Sequence, residues 1–167
     1  MKRLIASLAV LTLACAGNAQ RPSSDAEVPA VRAQLELRYA ENNAAYLRED
    51  LAAILALRHP EFHALPDGTV RDAASMATYI EGFLNGVTEW RSLTITIDSL
   101  TVRGDTAWAE TSQHVDRMAL RPDNLVHHVV TSVKQREAWI RREDGQWYMW
   151  RVDNLRDQRR WVDGIEG

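Results

Sequence analysis

Apolar residues first recur at helical spacing. Val31, Leu35, Tyr39, Tyr46 and Leu47 fall along one stripe with charged residues between them, which predicts an amphipathic helix. Asp50 is placed to cap a second, short helix carrying Leu51, Ile54 and Leu55, and Pro60 ends that run. A short strand is expected over residues 62–65, followed by a Pro66-Asp67-Gly68 turn. Asp72 can cap a third helix whose Met76, Ile80, Phe83 and Leu84 share a face, with Asn85-Gly86 as its stop. From Trp90 the period changes to two: Leu93, Ile95 and Ile97 alternate with Thr94, Thr96 and Asp98. Gly104-Asp105 is a turn, long strands are expected over residues 106–119 and 125–141, and Asp144-Gly145 turns the chain into a last strand over 146–154. Helices followed by a run of antiparallel strands make an α+β layout.

The N-terminus follows a different pattern. Lys2 and Arg3 precede an apolar stretch over residues 4–14 and then small residues, the three parts of a secretory signal. The stretch is shorter than the about twenty apolar residues a membrane-spanning helix needs. Thr12-Leu13-Ala14-Cys15 resembles a lipobox, in which Cys15 would carry a lipid; ordinary cleavage after Ala16 or Ala19 is the alternative. The expected organisation is a signal at 1–19 (or a lipoprotein leader at 1–14), a linker at 20–29, one domain at 30–155 and a charged tail at 156–167. The implied destination is the bacterial envelope or the medium, and the implied membrane contact is a lipid on Cys15 alone.

Composition narrows the function classes. An apolar fraction of 46% with 26% charged residues reads as globular. The formal charge is -3, and losing Lys2 and Arg3 makes it more negative, a balance unsuited to general nucleic-acid binding. Cys15 is the one cysteine, so no disulfide or thiol chemistry is expected within the domain.

Four motifs occur in order: Asn43-Ala44 with Arg48-Glu49-Asp50; Asp67-Gly68; Gly104-Asp105-Thr106-Ala107; and Trp139-Ile140-Arg141 with Asp144-Gly145 and Trp147. Together they resemble the SnoaL-like branch of the nuclear transport factor 2-like superfamily. The resemblance covers about residues 30–155. It implies three helices enfolded by a strongly curved, mostly antiparallel sheet, forming a cone with an open mouth. It also implies that Trp147 and Met149 fill the narrow end, with Arg151 and Asp153 nearer the mouth.

Candidate chemistry follows from strand alternation. Arg151 and Asp153 share a face on the last strand, and Arg136 lies on the strand before. Two guanidinium groups beside a half-apolar pocket fit an anionic ligand; an ion pair that neutralises itself is the alternative. His114 and Asp116 are two apart on a strand and could form an acid–base pair, or a harmless pair on a solvated face. Tyr39, Tyr46 and Tyr79 lie on helices; Tyr46 and Tyr79 are expected to line the pocket. His127 and His128 are adjacent and would point apart. His59 and His63 would be roughly 13 Å apart if extended, so no metal or other cofactor is expected. Trp90, Trp108 and Trp139 could cover a sheet face used for a homodimer.

Three functions remain open. The domain could bind a small apolar or anionic molecule without a defined reaction. It could be a lyase, isomerase or cyclase using His114 and Asp116, or Asp153, as general acid and base. It could also be a structural or dimerisation domain with a filled cone.

Overall fold

The computed structural model describes residues 27–65, 70–154 and 158–167. The expected signal, Cys15 and the Pro66-Asp67-Gly68 turn lie outside the described residues. Helix α1 spans Glu27–Leu47 and buries Val31, Leu35, Tyr39, Asn42 and Ala45 along one stripe. It starts earlier than the expected boundary at residue 30. Pro29 fits there because the first turn of a helix has no intrahelical use for its N–H. Helix α2 (Leu51–Ala56) is capped as expected: the Asp50 carboxylate accepts from the Ala53 N–H at 2.9 Å. Helix α3 (Ala73–Asn85) begins in the same way, with Asp72 accepting from the Ser75 N–H at 2.8 Å.

The strands are β1 (Arg58–Leu65), β2 (Arg71–Asp72), β3 (Val87–Arg103), β4 (Thr106–Leu120), β5 (Val126–Arg141), β6 (Trp147–Asn154), β7 (Arg159–Val162) and β8 (Ile165–Glu166). They form one sheet in the order β2-β1-β6-β5-β4-β3; β7 continues along β5, and β8 pairs with β7. Among the described residues only the β1–β6 pair is parallel. The first strand begins at Arg58 rather than 62. Pro60 is accommodated because pairing to β6 is interrupted between Arg58 and His63.

Curvature comes largely from β3. Its register against β4 slips three times, leaving Thr88, Arg91 and Asp98 as extra residues. Each such bulge bends and twists a strand. The bent sheet wraps α1, and Val31, Leu35 and Tyr39 pack with Phe62, Ile97, Val102, Trp139 and Trp147 into one core at the closed end. Ala45, Ile54, Ile80 and Leu84 form a second cluster between the helices. The α+β expectation with a curved, unclosed sheet around the helices therefore holds.

Within the charged tail, residues 159–166 fold into a hairpin through Asp163 (φ 51°) and Gly164 (φ 82°). Positive φ at both turn positions matches the twist of the flanking strands. No described helix is long and apolar enough to cross a membrane.

Candidate functional site: a mixed cavity in the cone

A cavity of about 200 Å3 lies between the concave face of the sheet and the helices. Its apolar wall includes Phe83, Trp90, Leu93, Ile95, Val115, Val133, Met149 and Val152. Tyr46, Phe83 and Trp90 form an aromatic cluster, with ring centroids 5.8 to 6.4 Å apart. Asn42, Arg58, Gln113, Gln135, Glu137 and Asn154 add polar groups, and Arg117, Thr131, Tyr79, Gln158 and Arg160 complete the lining. Tyr79, Gln158 and Arg160 are exposed and mark the mouth.

Strand phase decides who faces this space. On β4 the odd positions Ala107, Ala109, Thr111, Val115, Arg117 and Ala119 are buried. Their even neighbours face the other side, so His114 and Asp116 lie on the outer face, and His114 is exposed. They are not brought together in the cavity. Asp116 instead accepts from His128 Nε2 on the neighbouring strand at 2.7 Å. On β5 the inward residues are Thr131, Val133, Gln135 and Glu137. Arg136 is exposed and pairs with Glu110 at 2.8 Å.

Strand β6 changes phase partway along. Trp139 pairs with Met149 but Ala138 pairs with Arg151, so Trp150 is an extra residue. Trp147 and Met149 face inward before this bulge, and Val152 and Asn154 face inward after it. The expected continuation to Arg151 and Asp153 therefore fails. Both lie outside the cavity, and the Arg151 Nε–H donates to both Asp153 oxygens at 2.9 and 3.0 Å. Trp147 is in the core beneath the cavity rather than in its lining, and its indole N–H donates to Gln34 at 2.8 Å. Of the expected lining residues, Tyr46 and Tyr79 do line the cavity. Trp139 is fully buried, Trp90 faces the cavity, and Trp108 alone of the three proposed dimer-face tryptophans is exposed.

The closed end holds an ionisable group that sequence reading missed. Glu137 is 1% exposed. Its Oε2 accepts from the Tyr39 hydroxyl at 2.5 Å and the Trp139 indole at 3.3 Å, and its Oε1 accepts from Thr111 at 3.2 Å. Burial pushes its carboxyl up, against the opposing pull of these three donors and the Arg58 charge. Burial, and then the neighbouring Glu137, hold the Tyr39 phenol well above its ordinary value. Each oxygen of Glu137 already has an intramolecular donor, so the network reads as a brace between α1, β4 and β5.

The open end is arranged differently. Arg117, 9% exposed, lies with its guanidinium 4.8 Å from the Phe83 ring centroid and donates to Thr131 at 3.4 Å. Burial pulls its pKa down, and the like charges of Arg160 and, more weakly, Arg121 pull it further, against an opposing contribution from Tyr79. Arg58 Nε and Trp90 Nε1 are buried without a hydrogen-bond partner among the described residues. The parity of Val115 could have flagged Arg117, since the two share a face of β4.

The SnoaL-like domain profile matches residues 36–153. No curated protein is a significant sequence match. A conserved protein from Planctomyces limnophilus superposes with a TM-score of 0.65 at 15% identity, over 80% of this chain and 98% of the other. A candidate aromatic ring hydroxylase from Novosphingobium aromaticivorans gives 0.64 at 14% identity, over 78% and 92%. A nuclear transport factor 2-like superfamily protein from Salmonella enterica gives 0.60 at 16% identity, over 76% and 91%. At such identities the likeness is one of fold.

Proposed function

The chain belongs to the SnoaL-like domain family, and on that premise we propose that its cone is a binding pocket for a small apolar or anionic molecule, without a defined reaction. The observation that carries this reading is the cavity wall. Aromatic rings line it, and the side chains of Asn42, Gln113 and Gln135 add a few polar groups. A concave, mostly apolar space with a few convergent polar groups is the usual form of a ligand site. The acid–base reading is not supported by its named residues: His114 and Asp116 lie on the outer face, and Asp153 lies outside the cavity, held by Arg151. Glu137 does not replace them, since its oxygens are occupied by Tyr39, Thr111 and Trp139. The filled-cone reading is disfavoured by the open space itself.

The proposal includes export to the bacterial envelope, supported by Lys2-Arg3 and the apolar residues that follow, with Cys15 as the candidate lipid site. Homodimerisation through the outer sheet face around Trp108 belongs to the same proposal. The test is native mass spectrometry of the protein purified from its own host, compared with a Gln113→Trp variant that fills the cavity. The wild type should carry a small non-covalent adduct that is lost on denaturation and absent from the variant. An adduct that persists in the variant, or a wild type free of one, would defeat the reading. The same spectra report a lipid on Cys15 and the oligomeric state.

A further inference from the structure

Among the described residues no carboxylate pairs with Arg117. Its pairing partners across the sheet are Trp90 on β3 and Val129 on β5. Phe83 of α3 covers its guanidinium, and Thr131 supplies its one hydrogen-bond acceptor, a neutral hydroxyl. The nearest carboxylate along its own strand, Asp116, points to the other face and is engaged by His128. The charge beside it is another cation: Arg160 of β7 pairs in register with Thr131, which puts both on the cavity side of the sheet. A buried cation next to a second cation, with no anion opposite it among the described residues, is unfavourable as it stands. A ligand anion would reverse the sign of that interaction.

We propose that Arg117 and Arg160 form an anion subsite at the mouth of the cavity, which takes the carboxylate of an organic acid whose apolar body lies against Phe83 and Trp90. The inference rests on the cavity being a ligand site and specifies which ligands it takes. A guanidinium fork offers parallel N–H donors that match a carboxylate. The adjoining aromatic wall fixes the polarity of the ligand, with its charged head outward and its apolar body inward. The C-terminal hairpin thereby becomes part of the site, because β7 carries Arg160.

The experiment uses three apolar bodies, phenyl, naphthyl and nonyl, each as the carboxylic acid and as the neutral primary amide. Binding is followed by tryptophan fluorescence and calorimetry at neutral pH. Wild-type protein should bind the acids at least tenfold more tightly than the matching amides. Arg117→Gln should abolish that preference and Arg160→Gln should reduce it, while both variants keep their affinity for the amides. Arg160 is exposed, so its substitution leaves the core untouched and serves even if the Arg117 variant folds poorly. Equal binding of acids and amides by the wild type, or a preference that survives both substitutions, overturns the anion subsite and leaves the cavity reading standing. If no acid and no amide binds the wild type, the cavity reading falls and this inference falls with it.

Discussion

The two ends of the cone both place ionisable groups in apolar surroundings, and they treat them in opposite ways. At the closed end Glu137 is enclosed by α1 and the sheet, and Tyr39, Thr111 and Trp139 supply donors to it. At the open end Arg117 meets an aromatic ring, a neutral hydroxyl and like charges. A buried polar group costs little when its hydrogen bonds are complete and much when they are not. The closed end has the pattern of architecture. The open end has the pattern of a place that something else completes. Substitutions at the two ends should therefore shift stability in opposite directions.

The largest effect is expected where packing and polar satisfaction coincide. Trp139 is fully buried, lies edge-on to Tyr39 at 5.2 Å, and donates to the Tyr39 oxygen at 3.0 Å. Trp139→Ala should cost about 3–5 kcal/mol of unfolding free energy, measured by urea denaturation. Tyr39→Phe keeps the ring and removes one donor from Glu137 and one acceptor from Trp139, so a loss of about 1–3 kcal/mol is expected. A cost near zero would mean that the network does not brace the fold.

The third effect is one of pH. Burial raises the folded-state value of Glu137 above that of the unfolded chain. Between the two values the folded state holds a proton that the unfolded state has lost. Stability from this group is thus fullest below the ordinary glutamate range and falls as pH rises toward the raised value, by at most about 1.4 kcal/mol per pH unit. Glu137→Gln can still accept from Tyr39 and can donate to Thr111, and it should flatten that part of the profile. An unchanged slope in the variant would assign the pH dependence to other groups.

How much of this contrast was legible in the sequence differs from strand to strand. Helix starts were plain because Asp50 and Asp72 are capping residues before apolar periodic runs, and both make the expected bond. The inward face of β4 was also legible: Ala107, Ala109 and Val115 alternate with Trp108, Glu110, His114 and Asp116. Following that apolar set would have led to Arg117 and away from His114. Strand β5 gave no such guide, since Thr131, Gln135 and Glu137 on one face are as polar as Ser132, Lys134 and Arg136 on the other. The phase of β6 was hidden for a different reason. The bulge at Trp150 is visible only in the pairing of β6 with β5. A one-residue slip turns every later side chain to the opposite face, and it carried Arg151 and Asp153 out of the cavity. Asp163-Gly164 was a readable hairpin signal, but the strands beside it are short and charged.

At the open end the expected sign reverses. Arg117→Met removes a buried cation that has no counter-ion among the described residues and keeps an unbranched apolar stem against Phe83. Without ligand it should raise stability by roughly 1 kcal/mol, read as a higher thermal midpoint in chloride buffer. A loss of more than that amount would make Arg117 a structural residue like those around Glu137 and would erase the contrast between the two ends.

The smallest effect is expected at the clasp that holds the C-terminal hairpin, and with it Arg160, against the mouth. His127 contacts Asp163 at 2.6 Å through Nδ1 and Asp123 at 2.8 Å through Nε2. Asp163 also accepts from the His128 N–H, and His128 in turn holds Asp116. The hydrogen bonds that His127 donates to Asp163 and then Asp123 raise its value. A raised histidine stabilises below its unfolded value and loses that contribution as pH climbs through the folded one. The carboxylates are shifted down, so their contribution is lost only in acid. The clasp is therefore tightest between the carboxylate and histidine ranges and loosens toward alkaline pH, modestly because solvent screens it. His127→Gln should speed chymotryptic cleavage after Trp161 relative to wild type near pH 6, and the two rates should converge near pH 8.5. A rate ratio that stays constant across that range would show that the imidazolium does not hold the hairpin, and the open end would then owe its second arginine to β-pairing alone.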